Sequence, residues 1–484
     1  MTVAPTSAAS NKKWWTLAAV TVAMFMIMLD NTIVTVALPA MQRSLGATLS
    51  QLEWVVSAYA LVFAVFLLSG GKLADFLGRR IVFQAGLVVF TLSSLACGLA
   101  SSGGELVAAR SVQGFGAAIM LPATLSIIAE AFEPHERGTA FGIWSAISAA
   151  ALAIGPLVGG ILVDYVHWEW IFYINVPIGA IGLVASFILI PESRDTSAGQ
   201  SLDLRGLVTS GGAMFLLIYA LIEGNSFGWS STKIILCFVG AAVLSALFVF
   251  VEYRGHAPML ALADFKDSTF VGGLASGLLI MTALFGFIFY ISIYLQEVRG
   301  YSPIQTGSMF LFSTVALMIT APLGGKMADK VGSRLPIAIG SALFGVTLII
   351  LSRVISIDVA VWKLFPWIAI GGLGYGLVMA PVTTVVVGAV PPERSGVASG
   401  LMQSARQLGG ALGVAIAGAI VAGYTAGAAV RTPQYGLDFT SGLKTAMLFA
   451  GLSALGVTVV SLTLVKRRAA EGIGEAGVTA APHV

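Results

Sequence analysis

Runs of about twenty apolar residues follow one another along this chain from end to end, and a run of that length is what a helix needs to cross a hydrocarbon core of about 30 Å. Hydrophobic residues make up 57% of the sequence and charged residues only 10%, where a soluble domain carries about 25% charged residues. No aqueous fold could hide that much apolar surface, so the expected fold is all-α and polytopic. Taking charged and Gly/Pro-rich breaks as boundaries gives fourteen spans. They fall at roughly 14–39, 52–70, 81–101, 105–129, 139–163, 171–190, 206–223, 232–252, 270–295, 304–323, 335–352, 361–382, 397–424 and 443–465.

A polar stretch between spans 2 and 3, GGKLADFLGRR at 70–80, returns as GKMADKVGSR at 325–334. Gly71, Lys72, Ala74, Asp75, Gly78 and Arg80 recur at one offset as Gly325, Lys326, Ala328, Asp329, Gly332 and Arg334. PHER at 134–137 and PPER at 391–394 agree at nearly the same offset. The chain therefore reads as two related halves, as in transporters built from parallel repeats. The implied division is an N-terminal segment at 1–13, a six-helix bundle at 14–190, two inserted helices at 206–252, a second six-helix bundle at 270–465 and a tail at 466–484. The Ala/Gly-rich part of that tail reads as disordered.

Basic residues set the expected orientation. The termini and the loops on their side hold seventeen Lys and Arg, the opposite loops seven, which places both termini and both repeated turns in the cytoplasm of a multi-pass cell-membrane protein. Lys12 and Lys13 precede an apolar run that extends to Pro39 without a cleavage site, so this run is the first span rather than a signal peptide. A net charge of +3, spread over loops, does not suggest nucleic acid. Cys97 and Cys237 both lie in apolar runs and read as small core residues. The four histidines, His135, His167, His256 and His483, show no metal or triad spacing. No phosphate-binding loop is present either: the first glycine it requires is replaced by Phe66 before Gly71-Lys72 and by Thr320 before Gly325-Lys326. No cofactor, metal or catalytic group is expected, and a monomer in the lipid bilayer is the expected state.

An ionisable residue at membrane depth marks function by default. Asp30 lies about 22 Å along the first span by helix rise, leaving about 8 Å to the outer face of the core. Arg110 enters span 4 from the other side and reaches a matching depth, about 8 Å, with Gln113 one turn deeper on the same face. Such a pair suits proton coupling, because moving the guanidinium or admitting water loads or unloads the acid; the bland alternative is a static ion pair that fixes helix packing. Arg406, near mid-membrane between Gln403 and Gln407, can counter an acceptor group of a substrate or snorkel to the interface. Glu130 and Glu223, at span ends, read as solvated carboxylates. No mid-depth carboxylate is legible in the second half. Met24, Met28, Phe285, Phe289, Tyr290, Tyr375 and Met379 can line a soft pocket or simply pack.

Two backbone features complete the reading. Ala151, Gly155 and Gly159 repeat at four-residue spacing in ALAIGPLVGG, a smooth face for close helix approach, and Pro156 bends that helix. The stretch at 70–80 reads as a tight loop in which Asp75 can meet Arg79, Arg80 or a helix N-terminus, latching one side of the molecule.

Taken together, these residues resemble the major facilitator superfamily, and within it the fourteen-span drug:proton antiporters, over essentially the whole chain. LDNTIVTVALP (29–39) is similar to the first-span motif, GKLADFLGRR (71–80) to the loop motif, RSVQGFGAA (110–118) to the span 4 motif, GPLVGG (155–160) to the antiporter motif of span 5, and WEWIFYINVPIG (168–179) to a fourteen-span signature. The resemblance implies proton coupling through Asp30 and Arg110, beside which the residues themselves place Gln113 and Arg406 in support or on substrate. It implies a conformational latch at Asp75, Arg79 and Arg80, to which the repeated turn adds Gly71, Gly78, Asp329 and Arg334. It also implies a helix contact at Gly155, Pro156, Gly159 and Gly160, and export of a lipophilic compound in exchange for protons. Phe76 departs from the basic residue usual in the loop motif, and Glu169 from the Arg usual between the two tryptophans. Export of one dedicated metabolite and a non-transporting sensor on the same fold stay open.

Overall fold

A helix satisfies every backbone polar group within its own segment, which is why a chain of apolar runs in hydrocarbon resolves into helices. The computed structural model describes residues 7–133, 136–194, 203–254, 263–391, 394–427 and 432–466, and among them all regular structure is helical. The first half comprises α1 (Ser7–Leu45), α2 (Leu49–Leu77), α3 (Arg79–Gly98), α4 (Gly103–Ala131), α5 (Arg137–Tyr165), the short α6 (Trp170–Tyr173) and α7 (Asn175–Leu189). Helices α8 (Leu204–Phe227) and α9 (Thr232–Arg254) follow. The second half comprises α10 (Ser268–Ile293), extended by a π-helical turn at Tyr294–Val298, then α11 (Pro303–Val331), α12 (Arg334–Val354), α13 (Phe365–Gly388), α14 (Ser395–Thr425) and α15 (Pro433–Leu464). Counting α6 and α7 as one span, fourteen helices are long and apolar enough to cross a membrane. The tail after Lys466, the first six residues, the first two residues of PHER and the middle two of PPER lie outside the described residues.

Helix limits differ from span limits in an informative way. Helix α1 passes through Pro39 to Leu45, and α2 runs through Gly70, Gly71, Lys72 and Asp75 to Leu77, so the expected loop at 70–80 is reduced to Gly78 between two helices. Charge marks where the hydrocarbon ends, but the backbone keeps its intrahelical hydrogen bonds into the polar layer. Gly78 (φ 117°) and Gly332 (φ 81°) both adopt the left-handed region that favours glycine.

The repeat reaches further than the sequence words. A Thr48–Gln51 capping box opens α2 and a Ser302–Gln305 capping box opens α11, each with the side chain of one residue on the backbone N–H of the other. Both helices are 29 residues long. Their caps, Thr48 and Ser302, and their closing glycines, Gly78 and Gly332, stand at the same offset as the polar words.

Within the first half α2 and α3 pack on α4, and α1 on α5; within the second α11 packs on α13, α10 on α14 and α12 on α15. The halves meet through α2 on α14, α5 on α11 and α1 on α10. Ser404 donates to the Ala64 carbonyl at 3.0 Å, Ser292 to Thr35 at 2.9 Å and Gln296 to Val36 at 2.9 Å. Ser302 and the Ile304 N–H both reach Asp164, each at 2.8 Å. Three of these four contacts lie at the end of the bundle opposite the termini, called here the far end. The inserted pair is docked rather than adrift: Ile218 and Ile222 of α8 pack with Ala60 and Leu61 of α2 and Ala411 and Ala415 of α14. Helix α9 turns Leu236, Val239 and Val243 outward, as a lipid-facing helix does.

Gly325 has open space where a Cβ would stand, whereas Gly332 is held at positive φ. Gly325→Ala is therefore expected to be neutral or stabilising by up to about 1 kcal/mol, and Gly332→Ala to cost more than about 1 kcal/mol. Thermal unfolding in detergent checks the sign of both.

Candidate functional site

Asp30 reaches its position because α1 continues unbroken past it, and Arg110 because α4 enters from the far end with Ser102 as its N-cap. Both side chains are buried, Asp30 at 0% exposure and Arg110 at 2%. The Arg110 Nη1 donates to Asp30 Oδ2 at 2.5 Å and to Gln113 Oε1 at 2.7 Å, and Gln113 Nε2 donates to Asp30 Oδ1 at 3.0 Å. The three side chains form a closed ring of charge-assisted hydrogen bonds across α1 and α4. Helix α2 adds two contacts. Arg110 Nε donates to the Val55 carbonyl at 3.1 Å, and the guanidinium carbon stands 4.2 Å from the centre of the Tyr59 ring. Phe172 covers it from α6 at 5.8 Å.

Two charges taken out of water cost several kcal/mol each, and only close geometry with further hydrogen bonds offsets that. This site supplies both. The carboxylate oxygens each have a donor, and the guanidinium has a carboxylate, an amide, a carbonyl and an aromatic face.

The remaining residues expected to act divide by location. Gly155 and Gly159 face α1, where a Cβ on Gly155 would meet Thr32 and one on Gly159 the Ile33 carbonyl. Gly160 faces α11, 2.6 Å from the Ile304 Cα by the same test, and the Pro156 carbonyl lies against Gly307. Helix α5 is thus glycine-lined on two sides, wedged between α1 of its own half and α11 of the other. At the repeated turn, Arg79 donates to Asp75 at 3.3 Å and pairs with Glu130 of α4. Arg80 goes instead to the Ile190 carbonyl at 3.3 Å and to Glu192 at 3.7 Å. A Cβ on Gly78 would strike the Glu192 carboxylate, and one on Gly71 would only touch Pro122. These partners all belong to the first half. In the second half Arg334 donates to the Leu462 carbonyl, and Asp329 makes no ion pair among the described residues. Arg406 donates from Nη2 to the Met379 carbonyl and the Thr383 hydroxyl, both at 2.9 Å. It has no carboxylate partner among the described residues.

Two buried carboxylates escaped the sequence reading: Glu252 of α9, at 3% exposure, and one at the seam between the halves. Glu53, at 2% exposure, accepts a hydrogen bond from Tyr290 of α10 at 2.6 Å. Second in the expected span 52–70, it carries no local sign of depth; the packing of α10 and α14 over it removes the water. Glu223 is also less solvated than a span end suggests, since it accepts from Ser50 at 2.7 Å and Trp54 at 3.1 Å.

A multi-pass helical membrane protein in two related halves, with a sealed acid–base pair in one of them, has the build of a secondary transporter. Residues 20–414 match the family model described as Major Facilitator Superfamily, and the chain belongs to that family. It is 37% identical over 419 residues to the tetracenomycin C resistance and export protein of Streptomyces glaucescens, covering 86% of this chain and 78% of that one. It is 39% identical over 412 residues to the multidrug resistance protein Stp of Mycobacterium tuberculosis (84% and 76% covered). To the puromycin resistance protein of Streptomyces alboniger it is 34% identical over 480 residues (97% and 95%). Among solved structures, a bacterial homologue of the human lysosomal transporter Spinster in an inward-facing, unoccupied conformation superposes with a TM-score of 0.63 at 17% identity, covering 94% of this chain and 98% of that one. That likeness concerns the fold.

Removing Arg110 alone would leave Asp30 buried without its cation, which costs about 3–5 kcal/mol. Arg110→Met is expected to lower the unfolding temperature sharply, and the double variant Asp30→Asn/Arg110→Met to recover most of that loss. Additive losses in this cycle, measured by thermal unfolding in detergent, would mean that the two side chains are not energetically coupled.

Proposed function

We propose that this protein is a proton-coupled antiporter that exports lipophilic drugs or antibiotics across the cytoplasmic membrane, with both termini in the cytoplasm. The observation that carries the reading is the Asp30–Arg110–Gln113 ring, an ionisable cluster buried in one half. The position at the repeat offset from Asp30 is Leu284, so the acid is not part of the common scaffold. A structural ion pair would serve packing equally in both halves; an ion pair confined to one half suits a coupling role.

In this mechanism a proton from the outer aqueous phase neutralises Asp30, which weakens its hold on Arg110. Gln113 keeps a hydrogen bond to either form of the acid. The guanidinium stays charged and keeps its contacts with Val55 and Tyr59 of α2, so the protonation state of α1 is felt at two neighbouring helices. The glycine faces of α5 allow α1 and α11 to slide against it with little side-chain interlock, as rocking of the halves requires. The turn at Asp75, Arg79 and Arg80 ties α2, α3, α4 and the end of α7 together, so that the terminal side of the first half moves as one body. Arg406 offers its cation to an acceptor group of the cargo.

Relatives named for a single antibiotic stand beside one named for multidrug resistance. Export of one dedicated compound is therefore a second reading, distinguished by breadth of substrate.

Proton release from acidified inverted vesicles, on adding a panel of lipophilic cations and neutral and acidic drugs, tests both. Some compound is expected to discharge the gradient with intact protein and to have no effect on it with Asp30→Asn. Equal responses of the two proteins to a compound that is demonstrably transported would sink coupling through Asp30. Several unrelated active compounds would exclude the dedicated exporter, and a complete lack of flux would favour a sensor on this fold.

A further inference from the structure

Helices α2 and α11 are the same element of the two halves, sharing length, capping box and closing glycine at one offset. Their crossings to the opposite half, α2 on α14 and α11 on α5, are therefore equivalent interfaces, and one of the matched positions at which they differ lies in the close contact itself. On α11 it is Gly307, whose missing side chain lets the backbone rest on the Pro156 carbonyl of α5. On α2 it is Glu53. Its carboxylate lies where a Cβ on Gly418 of α14 would be, and its hydrogen-bond donor is Tyr290 of α10. An acidic side chain thus occupies one of two equivalent close contacts between the halves, bonded across the seam to the other half.

The surroundings contain no charge to balance it. From α10 comes the Tyr290 hydroxyl, from α14 Gly418, and from α8 Glu223, a second carboxylate occupied by Ser50 and Trp54. Behind Tyr290 stand Phe289, Phe439 and Tyr435, rings rather than cations. Among the described residues neither Glu53 nor Glu223 has a Lys, Arg or His within ion-pair distance. A carboxylate shut away from water without a cation costs many kcal/mol as an ion, so closure of this seam and ionisation of Glu53 oppose each other. Glu53 lies one turn inside α2, about 6 Å from its far-end start by helix rise, so a small parting of α2 from α10 and α14 opens it to water.

We propose that Glu53 is a second proton-carrying carboxylate, which ties closure of the far end between the two halves to uptake of a proton at the α2–α10–α14 seam. The step is a proton transfer alone. A proton from far-side water adds to the carboxylate, the neutral acid accepts the Tyr290 hydroxyl hydrogen bond, and the halves close; opening returns the proton to water. The inference rests on the transport reading for its purpose, since a second proton raises the possible coupling ratio above one. Its physical content, proton-linked closure, stands apart from any cargo.

The test uses the full chain in a lipid bilayer without substrate. Infrared difference spectra between acid and alkaline pH are recorded, together with the distance between spin labels at Ser101 and Asp358, exposed far-end positions of the two halves. Labelling is done with Cys97 and Cys237 replaced by alanine. The expected result is a protonated-carboxyl stretching band that titrates, survives Asp30→Asn, disappears in Glu53→Gln and shifts in frequency in Tyr290→Phe. The label distance should lengthen as that band is lost at high pH, and should not respond to pH in Glu53→Gln, whose amide oxygen still accepts from Tyr290. A band unchanged by Glu53→Gln, or a pH-dependent distance that persists in that variant, would overturn the proposal. If Glu53→Gln does not fold, the Tyr290→Phe shift decides it: an unshifted band is not that of Glu53. A failure of Asp30→Asn to abolish flux would count against the antiport mechanism and leave these readings untouched.

Discussion

A polar group inside hydrocarbon must find its partner within the protein, and each one left unsatisfied costs several kcal/mol. That constraint makes the described backbone helical throughout and also governs the side chains. Asp30 and Arg110 are tolerated because each neutralises the other, with Gln113 and the Val55 carbonyl supplying further hydrogen bonds. Once the ring is closed, α1, α2 and α4 are bound to one arrangement around it. Whatever changes the charge of one member is transmitted to three helices.

Close glycine contacts and hydrogen bonds to backbone carbonyls join helices inside each half, as at Gly114 on Tyr59 and Gly409 on Leu278, and they recur between the halves. Between halves the notable contacts are hydrogen bonds to backbone carbonyls, glycine faces and, at Glu53, a carboxylate–phenol pair. A seam with small residues and a few polar contacts has limited side-chain interlock, which suits the rocking proposed above. At the two crossings of α2 and α11 a duplicated scaffold becomes chemically unequal: the same helix, capped in the same way, carries a glycine in one half and an acid in the other.

The inserted helices follow the same physics. Helix α8 lies along the groove of α2 and α14 and brings Glu223 to Ser50 and Trp54, so the insertion borders the Glu53 seam, while α9 shields α8 and turns apolar side chains to lipid.

The sequence by itself determined the helical class, the fourteen spans, the repeat and two of the deep charges, Asp30 and Arg110, because each depends on local composition and on the cost of charge in hydrocarbon. The depth match of Asp30 and Arg110 followed from helix rise alone. Tertiary structure decided what local signals cannot carry. It put Arg80 on Ile190 and Glu192 rather than on Asp75, carried α2 through the polar stretch to Gly78, and gave α5 two glycine faces with different neighbours. Above all it buried Glu53, whose place near a span end carries no local sign of depth, by closing α10 and α14 over it. Burial of a residue near a helix end depends on which distant helix lies across it, and that information is spread over the contacts of the whole chain.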